Sequence, residues 1–406
     1  MRIPYRAALV TAAAALGLIA TSVAPAHAAA TGYARCPSGR FCVFDGQDGQ
    51  GAMAAYTTPQ ADLGTWRTRA ASVDNRTGSP FFCMYSRTNY RFTDPVHDIR
   101  ALAVGTGTGE NLSRYQDQNS HLAHNLGSVR WAHTARQCLG ATDYLPWNSP
   151  DTAAAGAPAA FGDLDGDGRP DLLNRTYGGR LYFLRGDGTG TLIGAGWNSM
   201  TALTRHGDLN GDGTEDLLAR DTGGELWMYP GNGKGWFGAR KLIGGGWNTM
   251  TAIQAVGDLD GNGTGDLVAR DTTGKLWMYP GDGNGRFGPR LLIGTAWNVM
   301  RAFAGIGDLG GDGRNDLVVS DSSGKLWLYP GNGKGWFGTR TMIGSGGWGP
   351  LTTLRGVGDI TGDGRPDLLA AQTQPFGEIH FYAARAGGTL AYSSTNGELD
   401  AGDGLF

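Results

Sequence analysis

The chain has 406 residues, enough for two or three domains, with 17 % charged residues and a formal net charge of −3. That balance excludes the basic footprint of a nucleic-acid binder and the polybasic patch of a membrane-surface protein. Glycine, at 70 residues, is the outlier. No three-residue period accompanies it, which excludes a collagen-like rod, and its place in turns between short apolar runs points to an all-β chain.

The first 28 residues read as an address. Arg2 and Arg6 give a positive start, residues 7–20 are apolar, and Ala26-His27-Ala28 has the small-x-small form of a cleavage site. A signal peptide over 1–28 and a mature chain starting near Ala29 are expected, which places the protein outside the cell. No other apolar run is long enough to span a bilayer.

Residues 29–140 form the expected first domain and hold all four cysteines, Cys36, Cys42, Cys83 and Cys138. A secreted chain with an even cysteine count is expected to use them as disulfides. Three pairings are open. The turn Pro37-Ser38-Gly39 favours Cys36 with Cys42, which leaves Cys83 with Cys138. Phe41-Cys42-Val43-Phe44 resembles Phe82-Cys83-Met84-Tyr85, and Leu63-Gly64 with Ser72-Val73 resembles Leu126-Gly127-Ser128-Val129. Two such halves suggest paired Greek-key motifs. His121 and His124 have no third ligand at metal-site spacing and read as an exposed loop.

The run from Cys36 to Phe44, then Gly49-Gln50-Gly51, then Ala71-Ser72-Val73-Asp74-Asn75-Arg76-Thr77-Gly78, resembles the actinobacterial metalloproteinase-inhibitor family. The resemblance covers most of residues 33–131 and implies a small disulfide-bonded βγ-crystallin-like fold and inhibition of a secreted metallopeptidase. Some crystallin-like domains bind calcium, and Asp117-Gln118-Asn119-Ser120 is the one acidic stretch here that the comparison makes a candidate.

Residues 141–160 are expected to be a linker and the start of a repeat. Trp147-Asn148 returns as Trp197-Asn198, Trp247-Asn248 and Trp297-Asn298, then as Trp348-Gly349, at a period of about 50 residues. One period reads as four short strands, at 251–256, 267–270, 276–279 and 290–293, with glycine-rich turns between them. Four antiparallel strands per repeat make a propeller blade. Residues 161–406 are thus expected to form a β-propeller of about five four-stranded blades, a closed ring or an open arc. The atypical first and fifth repeats, with Tyr182 and His380 where others have Trp227, Trp277 and Trp327, are expected at the seam.

Between the first two strands of each repeat lies an acidic loop. Asp258, Asp260, Asn262 and Asp266 occupy its first, third, fifth and ninth positions. Oxygens at alternate positions of a tight turn can converge on a hard cation, and ligand charge tunes affinity. The pattern follows the first half of an EF-hand loop but lacks the glutamate at position twelve. The other copies are Asp163, Asp165, Asp167, Asp171; Asp208, Asn210, Asp212, Asp216; Asp308, Asp312, Asp316 with Gly310 at position three; and Asp359, Thr361, Asp363, Asp367. Calcium is the expected cofactor, held most tightly by the first loop and least by the fourth.

The loops, with Phe237-Gly238, Phe287-Gly288 and Phe337-Gly338, make residues 147–385 resemble the FG-GAP or VCBS repeat family of integrin-α-like propellers. The resemblance implies calcium-bound propeller blades and extracellular binding.

Trp227, Trp277 and Trp327 are expected to pack between blades, and the Trp-Asn pairs to cap blades or line pockets. Trp236 and Trp336 lie in Gly-Lys-Gly-Trp-Phe-Gly turns, where burial is harder, and are the candidates for stacking on sugar rings. Arg185-Gly186-Asp187 falls where other repeats place Pro-Gly-Asn or Pro-Gly-Asp and reads as a turn variant. There is no Gly-x-Ser-x-Gly, no His-Glu-x-x-His and no P-loop lysine. The reading is a secreted, non-enzymatic binder whose partner is an extracellular protein, such as a metallopeptidase, or a glycan.

Overall fold

Short, turn-bounded apolar runs become paired strands throughout a computed structural model. It describes residues 31–79, 81–91, 99–103, 109–115, 122, 124–132, 135–140, 144–145, 162–372, 377–399 and 403–406. The expected signal peptide, the Asp117 to Ser120 stretch, His121 and Trp147-Asn148 lie outside the described residues.

Among the described residues the head has seven strands: β1 (Phe41–Phe44), β2 (Met53–Tyr56), β3 (Ser72–Asn75), β4 (Phe81–Tyr85), β5 (Ile99–Ala103), β6 (Glu110–Asn111) and β7 (Ser128–Ala132). They form two sheets, ordered β2-β1-β3-β6 and β5-β4-β7. The two cysteine-bearing motifs are the strands β1 and β4, each paired on both sides and buried along its whole length. One face of each enters a shared core, where Phe41 and Phe82 stack with centroids 3.9 Å apart among Val43, Val73, Met84 and Val129. The other face is covered by disulfide-tethered segments: Cys36 is bonded to Cys42, and Cys83 to Cys138. A single small core leaves these outer faces bare, and the disulfides hold their covers in place. His124 is exposed.

The repeats fold into five four-stranded sheets. The first blade holds β8 (Leu172–Arg175), β9 (Leu181–Leu184) and β10 (Gly190–Gly194). The second runs β11 (Met200–Gly207), β12 (Asp216–Asp221), β13 (Leu226–Tyr229) and β14 (Lys241–Gly244). The third runs β15 (Met250–Gly257), β16 (Asp266–Asp271), β17 (Leu276–Tyr279) and β18 (Leu291–Gly294). The fourth runs β19 (Met300–Gly307), β20 (Asp316–Asp321), β21 (Leu326–Tyr329) and β22 (Thr341–Gly344). The fifth runs β23 (Thr353–Gly356), β24 (Leu368–Ala371), β25 (Gly377–Arg385) and β26 (Thr389–Leu399).

The first blade takes its inner strand from the other end of the chain. β27 (Gly404–Leu405) pairs antiparallel with β8, Gly404 opposite Arg175 and Leu405 opposite Asn174. Five apolar clusters then alternate with the five sheets, and the last joins Leu172 and Leu184 of the first blade to Val357, Leu369 and Ile379 of the fifth. The ring is closed.

Four of the five joints, those from the first blade through to the fifth, have the same aromatic pair. Trp197 meets Tyr229, Trp247 meets Tyr279, Trp297 meets Tyr329 and Trp348 meets Tyr382, with centroids 4.6–4.9 Å apart. The tryptophans are buried, and the asparagine after them turns back to the preceding blade: Asn198 Nδ2 donates to Tyr177 O and Asn248 Nδ2 to Thr222 O. The Trp-Asn pairs therefore cap blades. Arg175, Arg220 and Arg270 add a second staple by donating to the main-chain carbonyls of Met200, Met250 and Met300 at the start of the next blade.

The between-blade role expected of Trp227, Trp277 and Trp327 is thus carried mainly by other tryptophans. These three are half-buried on their own blades. Each indole N–H donates to an aspartate of the preceding turn (Asp221, Asp271, Asp321; 2.8 Å), and each ring lies under an arginine (Arg240, Arg290, Arg340; 3.9–4.0 Å). A half-exposed strand face cannot leave an indole bare, and the guanidinium covers it. Trp327 alone also touches the cluster between blades three and four.

Candidate cation-loop site

In blades two to five the acidic loop joins the inner strand to the second, and in blade one it leads directly into β8. In every copy the first aspartate organises the turn. Asp258 Oδ1 accepts the N–H groups of Gly261 (2.6 Å) and Asn262 (3.1 Å), and Oδ2 accepts that of Gly263 (2.8 Å). Asp163, Asp208, Asp308 and Asp359 repeat the arrangement. The wrap needs left-handed backbone at Gly261 (φ +81°) and Gly263 (φ +86°), which glycine adopts without strain.

The ninth-position aspartates Asp171, Asp216, Asp266, Asp316 and Asp367 are fully buried. In blades two to five, one carboxylate oxygen holds the loop's own backbone and the other accepts a backbone N–H across the blade, from Gly231, Gly281, Gly331 or Ala384 at 2.8–3.0 Å. In blade one the turn is different, and Asp171 Oδ1 has no hydrogen-bond partner while Oδ2 accepts Leu164 N–H at 2.8 Å. Burial first, with neighbouring loop acids adding to it, pushes Asp171 up to about 8 against the opposing charge of Arg205, and Asp216, Asp266, Asp316 and Asp367 up to about 6.

Among the described residues two loops bring three carboxylates within 4.8 Å of one another: Asp163, Asp165 and Asp167, and Asp258, Asp260 and Asp266. These are the two loops with aspartate at position three. Asn210, Gly310 and Thr361 stand there in the others. The fifth-position residues are turned toward the following backbone: Asp212 Oδ1 and Asn262 Oδ1 accept from Thr214 and Thr264, and Asp312 and Asp363 from the N–H groups of Arg314 and Arg365. In blade one Asp165 is also paired with Arg185 at 2.7 Å. The oxygen-only donor set of the first and third loops fits a hard divalent cation.

The loops of blades one to three also belong to the joint with the next blade. The carbonyls of Leu164, Leu209 and Leu259, all buried, accept the N–H groups of Gly235, Gly285 and Gly335 from the outer turn of the next blade (2.9–3.0 Å). Trp236 and Trp336 follow directly in two of those turns and are 43 % and 45 % exposed. The Arg185-Gly186-Asp187 stretch is a turn: Asp187 Oδ1 accepts both the N–H and the hydroxyl of Thr189. Sequence reasoning missed the buried His206 and the axial Arg355, whose neighbours come from other blades.

Fold and loops together define a closed, five-bladed β-propeller with cation-type loops behind a disulfide-bonded, crystallin-like head. Residues 208–269, 258–319 and 308–370 match the FG-GAP-like repeat family, and residues 29–96 match peptidase inhibitor family I36. The chain therefore carries FG-GAP-like repeats behind an I36-type segment. No curated protein matches it. Similar solved structures include a lectin of Agrocybe aegerita that recognises non-reducing terminal N-acetylglucosamine (22 % identity, 60 % of this chain and 69 % of that one, TM-score 0.36). Others are the BP39L lectin of Burkholderia pseudomallei (14 %, 59 % and 68 %, TM-score 0.38) and a structure described under the evolution of the eye lens βγ-crystallin domain fold (14 %, 24 % and 89 %, TM-score 0.19).

Proposed function

We propose that this is a secreted, non-enzymatic binding protein. Its head, residues 29–140, would meet an extracellular metallopeptidase. Residues 141–160 would form a linker and the start of the first repeat, leading into a calcium-stabilised propeller of residues 161–406 that carries extracellular contacts. The matched families are an inhibitor and a repeat module, both non-catalytic kinds.

The observation behind the calcium reading is Asp171 Oδ1, a buried carboxylate oxygen without a hydrogen bond in a loop with three further carboxylates. Such a group is costly to bury unless a counter-charge meets it. Asp163, Asp165, Asp167 and Asp171 would hold the ion in blade one, and Asp258, Asp260, Asn262 and Asp266 in blade three. The weaker sets are Asp208, Asn210, Asp212 and Asp216; Asp308, Asp312 and Asp316; and Asp359, Thr361, Asp363 and Asp367. The ion supplies charge neutralisation and a fixed loop; the chain's own residues then carry that order into the next blade through the carbonyls of Leu164, Leu209 and Leu259.

Thermal unfolding of the full chain in calcium and in chelator tests this. A ligand held only by the native state at 100 times its Kd stabilises by about 2.7 kcal/mol. In a domain of this size that is a rise of roughly 5–10 °C. Equal melting temperatures would overturn the calcium reading. Inhibition assays against thermolysin-type peptidases test the head, and no effect on any of them removes that partner.

A second reading, a lectin-like glycan or cell-wall binder, is favoured by the exposure of Trp236 and Trp336 beside the exposed Lys234 and Lys334. Flat aromatics flanked by donors suit sugar rings. Retention on glycans that is lost in Trp236→Ala with Trp336→Ala supports it; a glycan array without hits removes it.

A further inference from the structure

At mid-depth the five inner strands leave almost no channel. A Cβ at Gly305 would lie 2.0 Å from Ala255 O, and one at Gly356 would lie 2.3 Å from Gly305 O, so neighbouring backbones touch. What remains is a void of about 20 Å³ lined by Thr204, Arg205, Gln254, Arg355 and Phe406 with the two glycines. Every blade contributes to it. It has room for one water-sized guest, the minimum being roughly 10–15 Å³.

Two guanidiniums face this void in different states. Arg205 is balanced: Nε and Nη2 donate to Glu215 at 2.5 and 2.7 Å, and Nη1 to Asp171 O at 2.6 Å. Arg355 is not. Its Nε donates to Leu405 O (2.9 Å) and its Nη1 to Leu354 O (2.7 Å), both neutral carbonyls. Among the described residues no carboxylate is paired with it. It keeps some accessible surface, yet it sits deep enough that burial alone pushes its pKa down to about 10, with no acidic neighbour opposing the change. It remains a cation at neutral pH. The corresponding places in blades two to four carry Thr204, Gln254 and Ala304, so the charge is peculiar to the fifth blade.

A buried cation without a counter-charge is costly, and water supplies hydrogen bonds but no charge. We propose that the axial void holds one small inorganic anion of the chloride class against Arg355. Because Arg355 bonds the carbonyl of Leu405, the anion sits at the seam between the fifth blade and β27. It fixes the guanidinium that ties the ring shut. Arg205 links the void to Asp171 of the first cation loop, so calcium is kept saturating and constant in the test.

Two measurements on the full chain decide it. Crystals grown or soaked in bromide are expected to show one anomalous peak on the propeller axis within hydrogen-bonding reach of Arg355. No peak there overturns the proposal and leaves water as the guest. Thermal unfolding is then compared in sodium chloride and in sodium gluconate at equal ionic strength. The wild-type chain is expected to melt several degrees higher in chloride, and Arg355→Gln, which keeps a polar side chain without charge, to melt equally in both. Equal melting of the wild type in the two salts overturns the proposal. So does an undiminished chloride response in Arg355→Gln, which would place the anion elsewhere. Where Arg355→Gln does not fold, the bromide peak and the wild-type salt comparison decide alone.

Discussion

His206 lies against Gly265 across the joint between the second and third blades, so close that a Cβ at Gly265 would be 2.8 Å from His206 Cε1. The ring also meets Phe287 edge-on at 5.5 Å. Neither imidazole nitrogen has a well-formed hydrogen bond, and the backbone of Asp266 offers the ring only a weak polar contact. Blades three, four and five put Val256, Ile306 and Val357 at the same place, all buried. His206 is thus a polar side chain in an apolar slot, admitted by the absent side chain of Gly265. An unsatisfied buried polar group costs about 1–3 kcal/mol. His206→Val is expected to raise the melting temperature by a few degrees, and Gly265→Ala to lower it. Combining the two is expected to recover most of the Gly265→Ala loss, because valine clears the space that the new methyl needs. Calorimetry of the four chains checks the coupling; a loss on His206→Val would show that the ring packs better than valine does there.

The two head disulfides close very different loops, of 6 and 55 residues. Loop-closure entropy gives about 2 kcal/mol for the short one and about 4 kcal/mol for the long one. Cys83→Ser with Cys138→Ser is therefore expected to destabilise the head about twice as much as Cys36→Ser with Cys42→Ser. Denaturant unfolding followed by a probe in the head, such as Trp131, measures the difference. Equal losses would mean that covering the strand faces, rather than restricting the unfolded chain, is what the bridges contribute.

Much of this was legible in residue order, and the reason is repetition. Five copies of an acidic loop at near-constant spacing marked the blades and the turn that each loop occupies. The third-position residue, Asp165 or Asp260 against Asn210, Gly310 or Thr361, already separated the loops that gather three carboxylates from those that do not. What escaped depends on partners far away in the chain. β27 is two residues long and has no repeat signature; only its pairing with β8, some 230 residues earlier, makes it a strand. The two kinds of tryptophan could not be told apart by strand alternation, because Arg240, Arg290 and Arg340 cover Trp227, Trp277 and Trp327 from outside the strand. Arg355 takes its meaning from a void that every blade lines, and His206 from Gly265 and Phe287 of the next blade.

The cation loops should differ in a way that single substitutions can read. Asp260→Asn removes a carboxylate from a group of three and is expected to reduce the calcium-induced rise in melting temperature. Asp312→Asn, in a loop with Gly310 at position three, is expected to change it little. Asp171→Asn gives a further sign. Without calcium it replaces a buried carboxyl that has an unpaired oxygen and like-charged neighbours, so it is expected to be neutral or stabilising; with calcium it is expected to lower the shift. Paired melts in calcium and chelator check all three, and a shift that is the same in every variant would place the calcium outside these loops.

Tryptophans of one repeat should separate stability from binding. Trp247 is buried at a joint against Tyr279, whereas Trp236 is 43 % exposed. Trp247→Ala is expected to cost about 3–5 kcal/mol, as large-to-small changes in a core do. Trp236→Ala is expected to stay within about 0.5 kcal/mol of wild type, as surface changes do. If the glycan reading holds, only the second change affects retention on the ligand at a temperature where both chains are folded. Retention that is unchanged in Trp236→Ala and Trp336→Ala would leave these side chains without a part in binding.

The ring is closed by very little backbone, which makes its seam the most sensitive place in the propeller. Leu405 is fully buried in the cluster shared by the first and fifth blades, and Phe406 is nearly so in the cluster shared by the first and second. Phe406 also exchanges two main-chain hydrogen bonds with Leu173, and its ring lies under Arg175 and Arg355. Just before the strand, the buried Asp403 accepts from Tyr177 N–H at 2.8 Å and lies 3.7 Å from Arg136 of the head, so head and seam share one carboxylate. Leu405→Ala is expected to cost about 2–4 kcal/mol, and removal of residues 404–406 to cost more, because it strips the inner edge of β8 as well. Loss of edge pairing should show first as faster amide exchange at Leu173 and Arg175, while the inner strands of blades three and four stay protected. If exchange instead rises evenly in all five blades, the ring opens as one cooperative unit and the seam is no weaker than its other joints.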